Sequence, residues 1–162
     1  MEHDRAHHQQ HAHEPRGSLT RSAFQATLHC LTGCAIGEVL GMVLATAWGW
    51  GNAASIAVSV ALAFSFGYAL TIRPVLRAGV GFRRAAGVAF ASDTVSIATM
   101  EIVDNGFILV VPGAIAAGLA EGLFWWSLGA SLVIAFFLTV PVNRWLIARG
   151  RGHAAAHQFH AH

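Results

Sequence analysis

The chain contains no lysine. All ten basic residues among its 162 are arginine, set against eight acids, for a formal net charge of +2. Charged residues are also scarce: they make up 11%, where a soluble domain carries about a quarter, and hydrophobic residues make up 55%. So apolar a composition excludes a disordered chain and argues against an ordinary soluble domain. A basic nucleic-acid binder is excluded as well, because the net charge is small and no arginine cluster has aromatic residues interleaved. A small integral membrane protein remains.

The gaps between arginines carry more information than their number. No basic residue lies between Arg21 and Arg73, or between Arg84 and Arg144. Five of the acids (Glu38, Asp93, Glu101, Asp104 and Glu121) fall inside those two base-free stretches. A membrane helix needs about 20 mostly apolar residues, and the pattern predicts four: 22–48, 53–72, about 84–104 or beyond, and 123–147. Trp48, Trp50, Trp125 and Trp126 suit one interface and Trp145 the other. A tight turn is expected at 49–52. Pro74 should stop the second helix near residue 72, leaving a linker at 73–84 with four arginines. Residues 107–119 are apolar but too short to cross alone. They could be a bent extension of the third helix, an interfacial helix or a re-entrant half-helix, and the bent extension is preferred.

Cytoplasmic loops collect Lys and Arg. Four spans with both termini inside place all ten arginines on that side. The expected fold is therefore all-α and polytopic, N-in/C-in, with a transmembrane domain at 22–149 between His-rich cytoplasmic tails at 1–21 and 150–162. Nine of the ten histidines lie in those tails. The tails are too polar to fold alone, and the first does not read as a secretory signal.

Two constellations within the spans carry chemistry. In the first span Cys30, Cys34 and Glu38 follow one another at i, i+4, i+8 and so form one helical stripe. His29 precedes the stripe and Met42 continues it at a wider angle. Gly33, Gly37 and Gly41 repeat beside it, and small residues at four-residue spacing let another helix approach closely. That face can pack within the chain or between copies, and Gly37→Leu is expected to disturb it more than Gly67→Leu. Two cysteines in a membrane helix are most often small packing residues. A carboxyl group on the same stripe is costly, at about 2.5–3.5 kcal/mol on insertion scales, and points to function.

The second constellation is in the third span. At about 100° per residue Met100 and Asp104 lie within about 20° of Asp93, and Glu101 flanks them at about 80°. A stripe of polar packing contacts is the plainer reading, but three acids with no base to pair them exceed what packing needs. At about 1.5 Å per residue, Cys34 and Asp93 share a depth of about 16–18 Å, with Glu38, Met100 and Glu101 at about 24–28 Å. If spans one and three are neighbours, their polar residues form a column across the membrane.

Such a column offers imidazole, thiol, thioether and carboxylate. Cys and Met suit Cu(I), and imidazole suits Zn, Cu and Ni. His-rich tails fit the same chemistry. The expected cargo is thus a transition-metal ion, copper ahead of zinc and nickel, with His29, Cys30, Cys34, Glu38, Met42, Asp93, Met100, Glu101 and Asp104 as ligands. The alternatives are a proton or monovalent-cation channel, and a membrane partner that only sequesters metal. An enzyme is not expected. The two sulfurs at i, i+4 are poorly placed for a disulfide, and their predicted cytoplasmic half is reducing. One span histidine is too little for bis-His haem.

The motif HCxxGCxxGE at 29–38, the acidic stretch 91–105 and the Trp-rich span 123–146 resemble a family of small bacterial four-helix membrane proteins catalogued as a domain of unknown function. The resemblance covers about residues 22–147. It implies a polytopic membrane fold and points to no particular activity; the expected location is a bacterial inner membrane. The expected partners are lipid, metal ions and a second copy of the chain, since two-fold assembly is the commonest case.

Overall fold

In the computed structural model, residues 16–149 are described; the tail histidines lie outside them, while residues 16–21 of the expected first tail are helical, so the first helix starts at Arg16 rather than near residue 22. The described chain forms four long helices: α1 (Arg16–Trp48), α2 (Asn52–Arg77), α3 (Phe82–Val110) and α4 (Gly122–Ala148). All four are long and apolar enough to cross a membrane, and no strand occurs among the described residues. Short connections make the helices alternate in direction. Each packs on the next, and α4 closes the ring against α1. The fold is an antiparallel four-helix bundle in which α1 and α3 are not ring neighbours but meet across the short diagonal.

Two of the turns end in the same device. Gly49 (φ 66°) and Gly79 (φ 80°) adopt the left-handed conformation that glycine tolerates. The following amides, Trp50 N–H and Val80 N–H, reach back to the carbonyls of Ala45 (2.9 Å) and Val75 (3.4 Å). These Schellman closures satisfy carbonyls that would otherwise be orphaned.

The tightest packing is between α1 and α2. The buried residues of α2 recur at every fourth position: Ser55, Ser59, Ala63, Gly67, Thr71 and Val75. The stripe is small, and it meets the glycine stripe of α1 in antiparallel register. A Cβ on Gly33 would stand 2.8 Å from the Gly67 Cα, one on Gly37 would overlap the Ala63 backbone, and one on Gly41 would overlap Ser59. The face thus packs inside the chain, as one of the two expected uses. Gly67, expected to be the more tolerant position, lies on the same crossing, and a Cβ there would also run into Ile97.

Large side chains point outward. Phe24, Ile36, Leu40, Phe90, Ile102, Phe137 and Leu138 are exposed, while the buried set is dominated by Ala, Ser, Thr, Cys and acids. That inversion suits a chain solvated by lipid, where apolar burial between helices gains little and close backbone approach gains more. The described arginines, Arg21, Arg73, Arg77, Arg83, Arg84, Arg144 and Arg149, are all exposed and belong to helix ends on one side of the bundle. Arg149 lies 4.2 Å over the ring of Trp145 there, and Trp48 stacks on Trp50 at the other end.

Two boundary expectations need correction. Pro74 does not end α2, which continues to Arg77. One missing N–H in a final turn removes one bond and leaves the remaining carbonyls free to be capped. Arg73, Arg77, Arg83 and Arg84 are therefore helical, and the linker shrinks to residues 78–81. The apolar stretch after Gly106 is divided. The helix runs through Asn105 and Gly106 to Val110, and residues 111–121 then leave it as an irregular segment with one 3-10 turn, Ala114–Ala116. Gly113 (φ 81°) makes that departure. Ala114 and Ala117 are buried as the segment folds over the end of the bundle.

Candidate functional site along the bundle axis

The short α1–α3 diagonal decides the site. Side chains from these two helices project toward the axis and meet there, where α2 and α4 wall them in. Cys30, Cys34, Asp93, Met100 and Asp104 are at most 2% exposed, and Glu38 and Glu101 are at most 8%. Seven of the expected residues thus share one buried stretch of the axis, although the two helices are diagonal rather than adjacent.

Nearest the arginine end, polar groups from all four helices share one level. Asn143 Nδ2 on α4 donates to Thr27 Oγ1 (2.8 Å) and Ser96 Oγ (3.0 Å). His29 Nε2 pairs with Thr71 Oγ1 at 3.1 Å, continuing the α1–α2 register. Ser92 Oγ donates to Asp93 Oδ1 at 2.8 Å, and Thr71 and His29 both lie close enough to act on that carboxyl group. Cys30 sits beside Asp93 and Ser96.

One turn further along, the Cys34 thiol points at the Met100 thioether with the sulfurs 3.9 Å apart. Glu101 adjoins Cys34. Beyond the sulfurs lie three carboxyl groups, Glu38 from α1 with Glu101 and Asp104 from α3, close enough to act on one another. Asp104 Oδ1 accepts from Ser131 Oγ on α4. Asn105 Nδ2 donates to the Glu101 carbonyl (2.9 Å) and, at 3.4 Å, to its carboxylate. Glu38 Oε1, Glu101 Oε1 and Asp104 Oδ2 are buried with no hydrogen-bond partner. Glu38 forms part of the wall of a cavity of about 220 Å³ at the end of the bundle away from the arginines.

Not every expected ligand converges. His29 turns to Thr71 on α2, whereas Cys30 and Cys34 face α3, so the three do not gather at one point. Met42 is half-buried in the cavity wall among Ala117, Phe124 and Leu128, away from the sulfur pair. Among the described residues no group of three or more His, Cys, Asp or Glu is arranged to hold a metal ion directly. The hydroxyl and amide partners, Thr27, Thr71, Ser96, Ser131 and Asn143, escaped the sequence reading, which followed ionisable residues. The available signal was positional: Thr71 falls on a four-residue small stripe, and Asn143 is a lone amide in an apolar span.

A bundle of four apolar helices with an ionisable axis defines a multi-pass membrane protein. More specifically, the chain belongs to a family described as a domain of unknown function, DUF4396, whose model matches residues 20–152. No curated protein and no solved structure matches the chain.

Proposed function

We propose that this protein takes transition-metal ions from the cytoplasmic side of a bacterial inner membrane and carries them along the bundle axis, with copper ahead of zinc and nickel. The observation that supports this most directly is the fully buried Cys34–Met100 sulfur pair, 3.9 Å apart. Paired thiol and thioether donors prefer Cu(I) to hard ions. The carboxyl groups on either side of the pair, Asp93 toward one end and Glu101 and Glu38 toward the other, extend the path in both directions. No arginine enters the described core, so a cation meets no fixed repulsion. In the same reading the arginine-bearing end faces the cytoplasm, the His-rich tails collect the ion there, and two copies associate. The protein handles its cargo without transforming it.

Elemental analysis of purified protein tests the reading. Stoichiometric copper that is lost in Cys30→Ser/Cys34→Ser supports it, and a metal-free protein that takes up no Cu(I) refutes it. Flux into proteoliposomes then separates transport from sequestration.

A second reading is favoured by one observation. The acids and their hydroxyl neighbours form a nearly continuous polar line, while among the described residues no three His, Cys, Asp or Glu are gathered to hold a metal. A proton or monovalent-cation path would use that line and leave the thiols as bystanders. Such a path predicts cation flux that is unchanged in Cys30→Ser/Cys34→Ser.

A further inference from the structure

Two residues in the wall of the axial cavity each carry a buried polar atom without a hydrogen-bond partner. Glu38 Oε1 has no hydrogen-bond partner, and neither has Ser127 Oγ on α4, although Ser127 is only 2% exposed. Both residues line the cavity. Proteins rarely leave such atoms unsatisfied, since each costs the desolvation that a partner would offset. Ser127 belongs to a different helix from the acids, so its orphaned hydroxyl is independent of their clustering. Immediately behind Glu38, the carboxyl groups of Glu101 and Asp104 each keep one oxygen fixed by Asn105 or Ser131 and the other unsatisfied.

The donors on this wall differ from those deeper in the column. The polar side chains among the lining residues, Glu38, Ser127 and Asn105 included, carry oxygen and no sulfur or imidazole donor, and the volume of about 220 Å³ is large enough for several waters. Hard divalent ions bind through a few carboxylates while retaining much of their water. A partly hydrated ion needs no three side chains in direct contact, and none are so grouped among the described residues. A dehydrated soft ion would find the opposite surroundings at Cys34 and Met100.

We propose that the cavity is a second cation site, with oxygen donors only, which takes a hydrated hard divalent cation. Glu38 and Ser127 hold the ion or its waters, and Glu101 and Asp104 supply the negative charge behind them. The proposal rests on the preceding reading only in that the axis accepts cations. It requires neither copper nor transport.

The test uses the full chain in detergent and two probes, Mn²⁺ followed by loss of the free-ion paramagnetic resonance signal, and Cu(I) by competition with a chromophoric chelator. Wild type should bind one Mn²⁺ saturably. Glu38→Gln should weaken that binding about tenfold or more, and Ser127→Ala should weaken it measurably. The exposed-site control Glu121→Gln should leave Mn²⁺ affinity unchanged. Absence of saturable Mn²⁺ binding by wild type overturns the proposal, and so does wild-type affinity in Glu38→Gln. Should Glu38→Gln fail to fold, Ser127→Ala decides: unchanged Mn²⁺ affinity overturns it. Mn²⁺ binding without Cu(I) binding sinks the copper reading and leaves this site standing.

Discussion

Asn143 shows what one side chain does in this bundle. Its two N–H groups reach Thr27 on α1 and Ser96 on α3, so a single amide ties three helices at the level of Cys30. In lipid such interhelical bonds contribute about 0.6–1.7 kcal/mol. Asn143→Leu, of similar volume, should lower stability by about 1–2 kcal/mol in denaturant titration of the detergent-solubilised protein. Thr99→Val, whose hydroxyl bonds only its own helix at the Val95 carbonyl, should change it little. Asp93 is the residue-scale test of the column. A metal ion that takes a carboxylate or thiolate ligand displaces its proton. Binding should therefore release protons, and apparent affinity should rise with pH until the ligands are fully deprotonated. Calorimetry in buffers of different ionisation enthalpy counts those protons. Asp93→Asn should lower the count and weaken transport, and Glu2→Gln in the tail should alter neither. A count of zero removes the column from the mechanism.

At the scale of elements, the α1–α2 crossing is the least forgiving part of the molecule. The glycine stripe brings the two backbones so close that even a methyl group at Gly37 would overlap the Ala63 main chain. Overpacking costs about 1–3 kcal/mol where neighbours can adjust, and backbone adjusts least. Gly37→Ala should already reduce the yield of folded protein, and Gly67→Leu should be as damaging as Gly37→Leu. Gly87→Ala, on α3 with nothing within 4 Å of its Cβ, should be neutral or slightly stabilising through helix propensity. Thermal unfolding of the four variants in one detergent ranks them. The irregular segment 111–121 has a different role. It covers one end of the cavity with Ala114 and Ala117 rather than spanning anything. Gly113→Ala, forced toward φ 81°, should cost about 1–2 kcal/mol and disturb Mn²⁺ binding more than Cu(I) binding.

For the whole molecule, the arginines at one end and the cavity at the other create an axis with direction. Reporter fusions at His162 and within the Gly51–Asn52 turn should report opposite sides of the membrane, with His162 cytoplasmic. An external C-terminus would reverse the path and move Cys30 to the far half. Assembly stands on narrower ground once the glycine face is used inside the chain. A dimer would have to form through outward-facing side chains such as Phe137 and Ile102. Native mass measurement in lipid, with Ile102→Ala and Phe137→Ala compared with wild type, distinguishes a dimer on that surface from a monomeric unit.

Much of this was legible in the residues because lipid leaves a polytopic chain few choices. Four apolar runs and ten clustered arginines specify four helices and their alternation, since no other backbone arrangement without a closed barrel satisfies its hydrogen bonds in hydrocarbon. The i, i+4 spacing of Cys30, Cys34 and Glu38 likewise determined that they share a face, because helical geometry is local. Which helix that face meets is not local. Tertiary packing alone decided that α1 sees α3 across the diagonal, that Cys34 touches Met100, and that His29 turns aside to Thr71. It also decided that Pro74 stays helical, because the cost of one lost bond depends on what caps the turn beyond it. The cavity depends on the same level of organisation. Glu38 and Ser127 are 89 positions apart, and only the closing of α4 against α1 brings the two residues into the wall of one cavity.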